Sequence, residues 1–594
     1  AANGGITMIA GMTLNTLSGN VRLAADGNIM VAQVNTSGDV RAESANGSIL
    51  RAALNDRTNW IASTLQLFAG VSLGSLASAE GVLISDVSVL AATAASGVLA
   101  LRERNDLTLA SNSLTVAYAL ADRSTSSDDF NQSHLVQSGA GNAALRVGGA
   151  LTVDAIADPL PAVAIAGNFH LNATGAATFD GSIVVANGSA QLQSGASFTL
   201  NDDLSVNGGT LLVQSGGAFT QAADTQISVN DANAVIQSTG SMTVASIDTG
   251  SGDLALTSGS DLTQQGGELI ESAQLRLSAV GAIASAANPL TFDSDRLAAV
   301  AGGAMFLRSE SALTVDTVAA IEVDTVTAIG AIGAASTTAA LSDLTTSANN
   351  GAIILQVITG DLNLNGGLAG PAANTAVSAH GSGNVLLQSV AGDIAATADI
   401  RSDSGNISVL AANSISFAAT ADVLTGSTAT IDIGSATGSV TMDNDSRFVT
   451  GSGDIRVAAA QSITVGGIST TGSVALLATA GSIIDGGDLH RDVIANGLTL
   501  VAGNGVGSST NALDISVNTL SARAHGGGIF IAESNGLTVG NTSATVQRVG
   551  ANAELTPIVV ATQSDLRTLS GNGSIVVELA AGNLVLNDGS APAD

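Results

Sequence analysis

Along this chain, short apolar alternations are broken at regular intervals by glycine followed by Asn, Asp or Ser. The runs Ile407-Ser408-Val409-Leu410, Ile415-Ser416-Phe417 and Ile463-Thr464-Val465 have the period of a half-buried β-strand. Ahead of many such runs stands a triplet of Gly, an Asx or Ser, and Ile or Val. Examples are Gly27-Asn28-Ile29, Gly47-Ser48-Ile49, Gly405-Asn406-Ile407 and Gly453-Asp454-Ile455. The triplet predicts a turn in which Gly accepts positive φ and the Asx side chain bonds its own backbone. Successive triplets lie about 20 residues apart, the period of a solenoid coil made of two or three strands and their turns. One coil cannot bury its inward Ile, Val and Leu; stacked on a neighbour, it pairs every strand in parallel and closes a common core. The expected fold is all-β, a parallel β-helix. If nearly all residues belong to coils there are roughly 30 of them, an elongated rod on the order of 140 Å at the strand spacing of a sheet.

A longer period lies above the coil. Ser342-Asp343-Leu344, Asn350-Gly351-Ala352-Ile353 and Leu364-Asn365-Gly366-Gly367 recur, at one constant offset, as Ser564-Asp565-Leu566, Asn572-Gly573-Ser574-Ile575 and Leu586-Asn587-Asp588-Gly589. Leu101 to Leu109 (LRERNDLTL), Leu307 to Val315 (LRSESALTV) and Ile531 to Val539 (IAESNGLTV) also align. These matches predict three imperfect superrepeat copies, 1–155 (incomplete), 156–367 and 368–594, with Asp158-Pro159-Leu160-Pro161 as the first seam. Two segments break the rhythm. Arg123 to His134 reads as a polar loop thrown out from the tube, and Asn55 to Leu76, with Trp60 and Phe68, as an irregular coil or small flap. Neither end reads as a cap, so the chain is expected to begin and stop in mid-array, with adhesive strand edges. No secretory signal or initiator Met stands at Ala1, and a mature product or a segment of something longer is expected.

In its coil length, its triplets and its superrepeat, the sequence resembles the filamentous-haemagglutinin-like class of very large bacterial surface and secreted proteins. The segments VSAHGSGNVLLQ (Val377 to Gln388) and LDISVNTLSA (Leu513 to Ala522) carry the likeness best. The resemblance implies a right-handed coil, export to the bacterial surface or beyond, and roles in attachment, biofilm or surface layers. That family's N-terminal secretion domain is not recognisable here.

Composition narrows the picture. Apolar residues make up 45% of the chain but aromatics only 2%. The core must therefore be built from Ala, Val, Ile and Leu, which suits a thin tube. There are 49 acidic residues against 18 basic, a net charge of −31, and every basic residue is Arg. Nucleic acids and anionic membranes both need clustered positive charge, which this chain lacks. Apolar runs end well short of the ~20 residues that span a bilayer. With no Cys, disulfides and thiolate metal sites are excluded.

Few residues read as chemistry. Asp128-Asp129 and Asp202-Asp203 are adjacent carboxylates, but neighbours on a strand point to opposite faces, and no basic groove serves an acidic sugar. The chain is not expected to be an enzyme. His134, His170, His380, His490 and His525 share no metal-ligand spacing, and His490-Arg491-Asp492 and His525-Gly526-Gly527 read as solvated turns. Asp443-Asn444-Asp445-Ser446 gathers oxygen atoms that suit Ca2+, making Asp443 and Asp445 weak candidate ligands; a metal-free Asx turn is the favoured reading, and no cofactor is expected. The candidate ligand-binding residues are Trp60, Phe68, Asp128 and Asp129, in the two irregular segments. The expected role is an extracellular structural and adhesive rod whose partners are flanking copies of itself or its own ends. The alternative is a glycan- or protein-binding module gripping through its loops; a polysaccharide-degrading enzyme ranks last.

Overall fold

The computed structural model describes residues 4–53, 55–132, 134–156, 160–367, 374–487 and 490–590. The expected seam at 158–161 and the boundary at 367/368 thus fall partly outside the described residues. The protein is an all-β parallel solenoid of about 23 turns. Among the described residues the only helical turn is a 3-10 turn at Ala79–Gly81.

A representative coil has three strands, Ala190–Ser194, Phe198–Leu200 and Leu204–Val206. Each pairs in parallel with its counterpart one coil on: Ala190 with Leu211, Phe198 with Phe219, and Leu204 with Ile227. Ala190, Leu192, Phe198, Leu200, Leu204 and Val206 all point inward and are buried. The chain cannot take another register, because a one-residue slip would turn every one of these side chains to water. Identical positions stack on each other up the tube, as Phe198 and Phe219 do at 5.7 Å between ring centroids; Phe179, two residues along from the register partner Ala177, brings its ring within 5.2 Å of Phe198.

The turns correct the expected role of the triplet. Its polar residue does not bond its own backbone but the backbone one coil on. Asn28 Oδ1 accepts from Ser48 N at 2.8 Å, Asn384 Oδ1 from Asn406 N at 2.9 Å, and Asn406 Oδ1 from Thr430 N at 2.9 Å. Nor is Gly405 there for positive φ. A Cβ on it would lie 2.0 Å from the carbonyl oxygen of Gly383, directly beneath it. Glycine is required because turn backbones stack in contact. Gly405→Ala should therefore lower stability by about 1–3 kcal/mol, the usual cost of overpacking, seen as an earlier urea transition.

The turn count falls short of the expected 30 because coils differ in length. A step is 21 residues at Gln193–Gln214 but 32 at Gln356–Gln388 and 49 at Glu310–Thr359. The longest steps contain antiparallel hairpins: Asn112–Ala119 with Thr125–Gln132, Glu322–Val323 with Ser336–Thr337, and Thr542–Val549 with Leu555–Gln563. The segment expected as a loop at 123–134 is thus mostly a hairpin arm. The segment expected as an irregular coil or small flap at 55–76 is a coil of the solenoid, with Trp60 paired between Val34 and Ser85.

Contacts divide the chain into two compact units, Ala1–Ala273 with Ala320–Ala339, and Gln274–Ala319 with Ala340–Asp594. Each unit carries the same device. In the first, one ladder has long strands at Val40–Ser44, Thr64–Ala69 and Val89–Ala94, then three-residue strands at Leu135–Gln137 and Val163–Ile165. The adjacent ladder does the reverse, short at Ile49–Arg51 and five residues long from Leu99–Glu103 onward. In the second unit, the ladder through Ser473–Ala478 shortens to Leu566–Thr568, while that through Ile483–Asp485 lengthens to Ile529–Glu533. The long face therefore passes from one ladder to the next.

The handover is made where one stretch of chain pairs with three strands at once. Leu83, Val89 and Ala92 face Leu101, Thr108 and Leu135. Leu290, Arg296 and Ala299 face Leu307, Thr314 and Leu344. Leu513, Thr519 and Ala522 face Ile531, Thr538 and Leu566. The aligned segments at Leu101, Leu307 and Ile531 each lie at one of these junctions, and each junction is followed by a hairpin. The chain re-enters the coil at His134, Asp343 and Asp565, all with positive φ.

Candidate functional site

The residues expected to bind ligand do not converge. Trp60 points inward and is fully buried. Phe68 lies half-buried on the outer face, between Glu43 and Thr93 in its ladder. Asp128 and Asp129 sit on the first hairpin and diverge, as alternation requires. Asp128 pairs with Arg22 at 3.4 Å and accepts from Tyr118 Oη at 3.3 Å, whereas Asp129 accepts from Thr115 Oγ1. Asp443 Oδ1 accepts from Asp445 N at 3.3 Å, an Asx turn. Among the described residues no three His, Cys, Asp or Glu side chains are grouped to hold a metal. Asp492, expected in a solvated turn, is buried and accepts from Asp514 N at 2.8 Å.

What the fold does bring together is a polar seam beneath each hairpin. In the long strands the first, third and fifth residues face the core, so the second faces out. Yet that second residue is buried along much of each ladder: Arg41, Gln66, His170 and Gln191 in the first unit, Ser408 and Asp432 in the second. The hairpins cover it. The ring centroid of Phe130 in the first hairpin lies 4.7 and 4.4 Å from the guanidinium carbons of Arg22 and Arg41, two cation–π contacts. Arg41 also donates to Gln66 Oε1 at 2.9 Å, and Gln66 to Asn112 Oδ1 at 2.6 Å. On the second, Val326 donates to Gln191 Oε1 at 2.8 Å and accepts from His170 Nδ1 at 2.6 Å. Burial holds the His170 imidazole below its ordinary pKa.

The third hairpin runs back across several coils. Val549 N donates to Ser408 Oγ at 2.9 Å, Gln547 N to Thr430 Oγ1 at 2.8 Å, and Thr545 N to Asp454 Oδ2 at 2.7 Å. Asp432, with no exposed side-chain surface, receives Arg548 Nε at 2.7 Å on one oxygen and Arg456 Nη1 at 2.8 Å on the other. Val549 completes an apolar cluster with Ile354 and Leu386. Sequence reading missed these anchors because Ser408, Asp432 and Arg456 occupy positions that alternation assigns to solvent.

The junctions also hold buried acids. Glu103 accepts from Val87 N at 3.2 Å and Glu533 from Val517 N at 3.0 Å. These are equivalent bonds at equivalent corners, and burial raises both carboxyls above their ordinary range. Asp343, 8% exposed with Oδ1 unbonded, is raised to about 7 by burial and then by the charge of Asp316. Below the ordinary carboxylate pKa this group is protonated in both states. Between that value and about 7 the folded chain keeps a proton that the unfolded chain releases, so stability falls as pH rises through this window. Asp343→Asn, which tolerates the same positive φ, should match the wild type at pH ~4 and exceed it by about 1–3 kcal/mol at pH ~8, measured by urea unfolding at both pH values.

No family model matches this chain, and neither a curated protein nor a solved structure matches it.

Proposed function

We propose that the chain is a structural and adhesive element of the extracellular bacterial surface, a scaffold that presents and joins surfaces through stacked coils. The observation that carries this reading is the use made of its polar side chains. Glu103 and Glu533 hold junction backbones; His170, Ser408 and Asp432 hold hairpins; Asn28, Asn384 and Asn406 hold turns. Such residues serve the framework. A net charge of −31 keeps so apolar a repeat soluble and self-repelling, in keeping with export and with the likeness to haemagglutinin-type exoproteins. Association would join flanking copies of the repeat, or copies of this chain end to end, by the same parallel pairing that stacks its coils, as Ile353, Leu362 and Leu364 pair with Val385, Ile394 and Ala396. Sedimentation and negative-stain imaging of the purified chain test this. Assemblies that grow with concentration and salt support it; particles that stay monomeric, together with turnover of a polysaccharide, would overturn it.

A further inference from the structure

The third hairpin does not cover its whole face. Beside Arg548 runs an open trough of about 410 Å³. It follows the fourth positions of four consecutive long strands, Gln388, Leu410, Gly434 and Ala458, which stack in register. These positions would normally carry a row of side chains. Gly434 leaves a gap, since a Cβ there would meet only Leu410 Cδ2 at 3.1 Å and Arg548 Nη2 at 3.7 Å. The trough is thus a consequence of two small residues in the row, with Leu410 and Val390 as its apolar lining.

Its polar groups are donors. Gln388, which lines the trough, accepts through Oε1 from Gln356 Nε2 at 2.8 Å, and the next position in its row, Leu410, offers its amide no side-chain acceptor. On the far side stand Arg456 and Arg548, both fixed by the single carboxylate of Asp432 at 2.8 and 2.7 Å. Two guanidiniums on one carboxylate leave one positive charge, held in a fixed geometry with N–H groups to spare. Preorganised guanidiniums favour a carboxylate partner. On a chain of net charge −31, such a spot offers an anion a local positive charge.

We propose that this trough binds an extended peptide segment bearing one carboxylate side chain flanked by small aliphatic residues. The carboxylate lies on Arg456 and Arg548, the aliphatic groups lie over Gly434 and Leu410, and a backbone carbonyl accepts from Gln388. The span from Gln388 to Ala458 is three strand spacings, about 14 Å, the length of some four extended residues. The lining has no aromatic side chain on which a sugar ring could stack, which favours peptide over saccharide. The inference is independent of the adhesive role.

The test is fluorescence polarisation of the full chain against a labelled, capped peptide, Ala-Val-Asp-Val-Ala, at about 20 mM salt, where charge pairing is weakly screened. The Asp peptide should bind at least about tenfold more tightly than its Asn counterpart, as the loss of a charge-assisted contact requires. Arg548→Gln should weaken it about as much. Gly434→Leu fills the trough beside Arg548 without removing any charge and repeats the residue found one coil below at Leu410, so it should abolish binding while leaving the unfolding transition in place. Equal binding of the Asp and Asn peptides, or wild-type binding by Gly434→Leu, would overturn the proposal. Tighter binding of a galacturonate trimer, lost in the same variant, would overturn the peptide assignment.

Discussion

Phe198→Ala should lower the stability of its coils by about 3–5 kcal/mol, the range for removing a buried phenyl ring. Phe198 has no exposed surface and lies between Phe179 and Phe219, at 5.2 and 5.7 Å. In a globule the neighbours could collapse into part of the cavity. Here the coils above and below are fixed at a strand spacing by backbone bonds on every side, so the gap persists. The loss should also be local. A solenoid's stability is a sum over repeats and the interfaces between them, so hydrogen exchange should quicken around Ala177–Phe179, Phe198–Leu200 and Phe219–Gln221 and leave distant coils protected. Uniform loss of protection over the chain would show a single cooperative core instead.

Asp432→Ala should release the third hairpin. The carboxylate is fully buried and satisfies both Arg456 and Arg548. Its removal leaves two like charges facing each other beside the covered face. Breaking a buried ionic group in this way costs about 3–5 kcal/mol. The coil strand itself, Ile431–Ser435, keeps its ladder bonds, so the cost should appear at Thr542–Val549 as fast amide exchange with the solenoid intact. Replacing Asp432, Arg456 and Arg548 together by Leu removes the charge imbalance and should restore most of the protection, because well-packed apolar groups replace buried ion clusters at little cost. Unchanged exchange in Asp432→Ala would mean that the apolar contact of Val549 with Ile354 and Leu386 and the bonds to Ser408, Thr430 and Asp454 hold the hairpin without it.

The coil was legible in the sequence because its cause is local. A turn that stacks in contact favours Gly, and the residue after it offers an oxygen to the next turn, so Gly-Asn-Ile at 405–407 repeats in kind at many coils. The mechanism behind the triplet was not legible, since bonding one coil on and bonding one's own backbone ask for the same residues. The segments at Leu101, Leu307 and Ile531 resemble one another for a similar reason: each lies at a junction where one stretch of chain meets three partners. What escaped was everything set by contacts far along the chain. The arm Thr542–Val549 alternates like any coil strand, and only its return over Ser408 and Asp432 marks it as a cover. Trp60, in a segment that breaks the triplet rhythm and read as an irregular coil or small flap, pairs with Val34 and Ser85 on either side, which place it inside the tube. Asp492 was misplaced likewise, because burial there comes from the neighbouring coil at Asp514.

The absence of native cysteine allows a direct test of parallel, in-register stacking. Gln193, Gln214 and Gln237 occupy the same outward position in three consecutive coils. Neighbouring Cα atoms there are separated by one strand spacing, about 4.8 Å, within disulfide reach; alternate ones are about twice as far, beyond the ~7 Å limit. Under mild oxidation, Gln193→Cys with Gln214→Cys should form an intramolecular disulfide in high yield, and Gln193→Cys with Gln237→Cys should not. Equal yields from the two pairs, or a bond only in the second, would contradict the stacking on which every other inference rests.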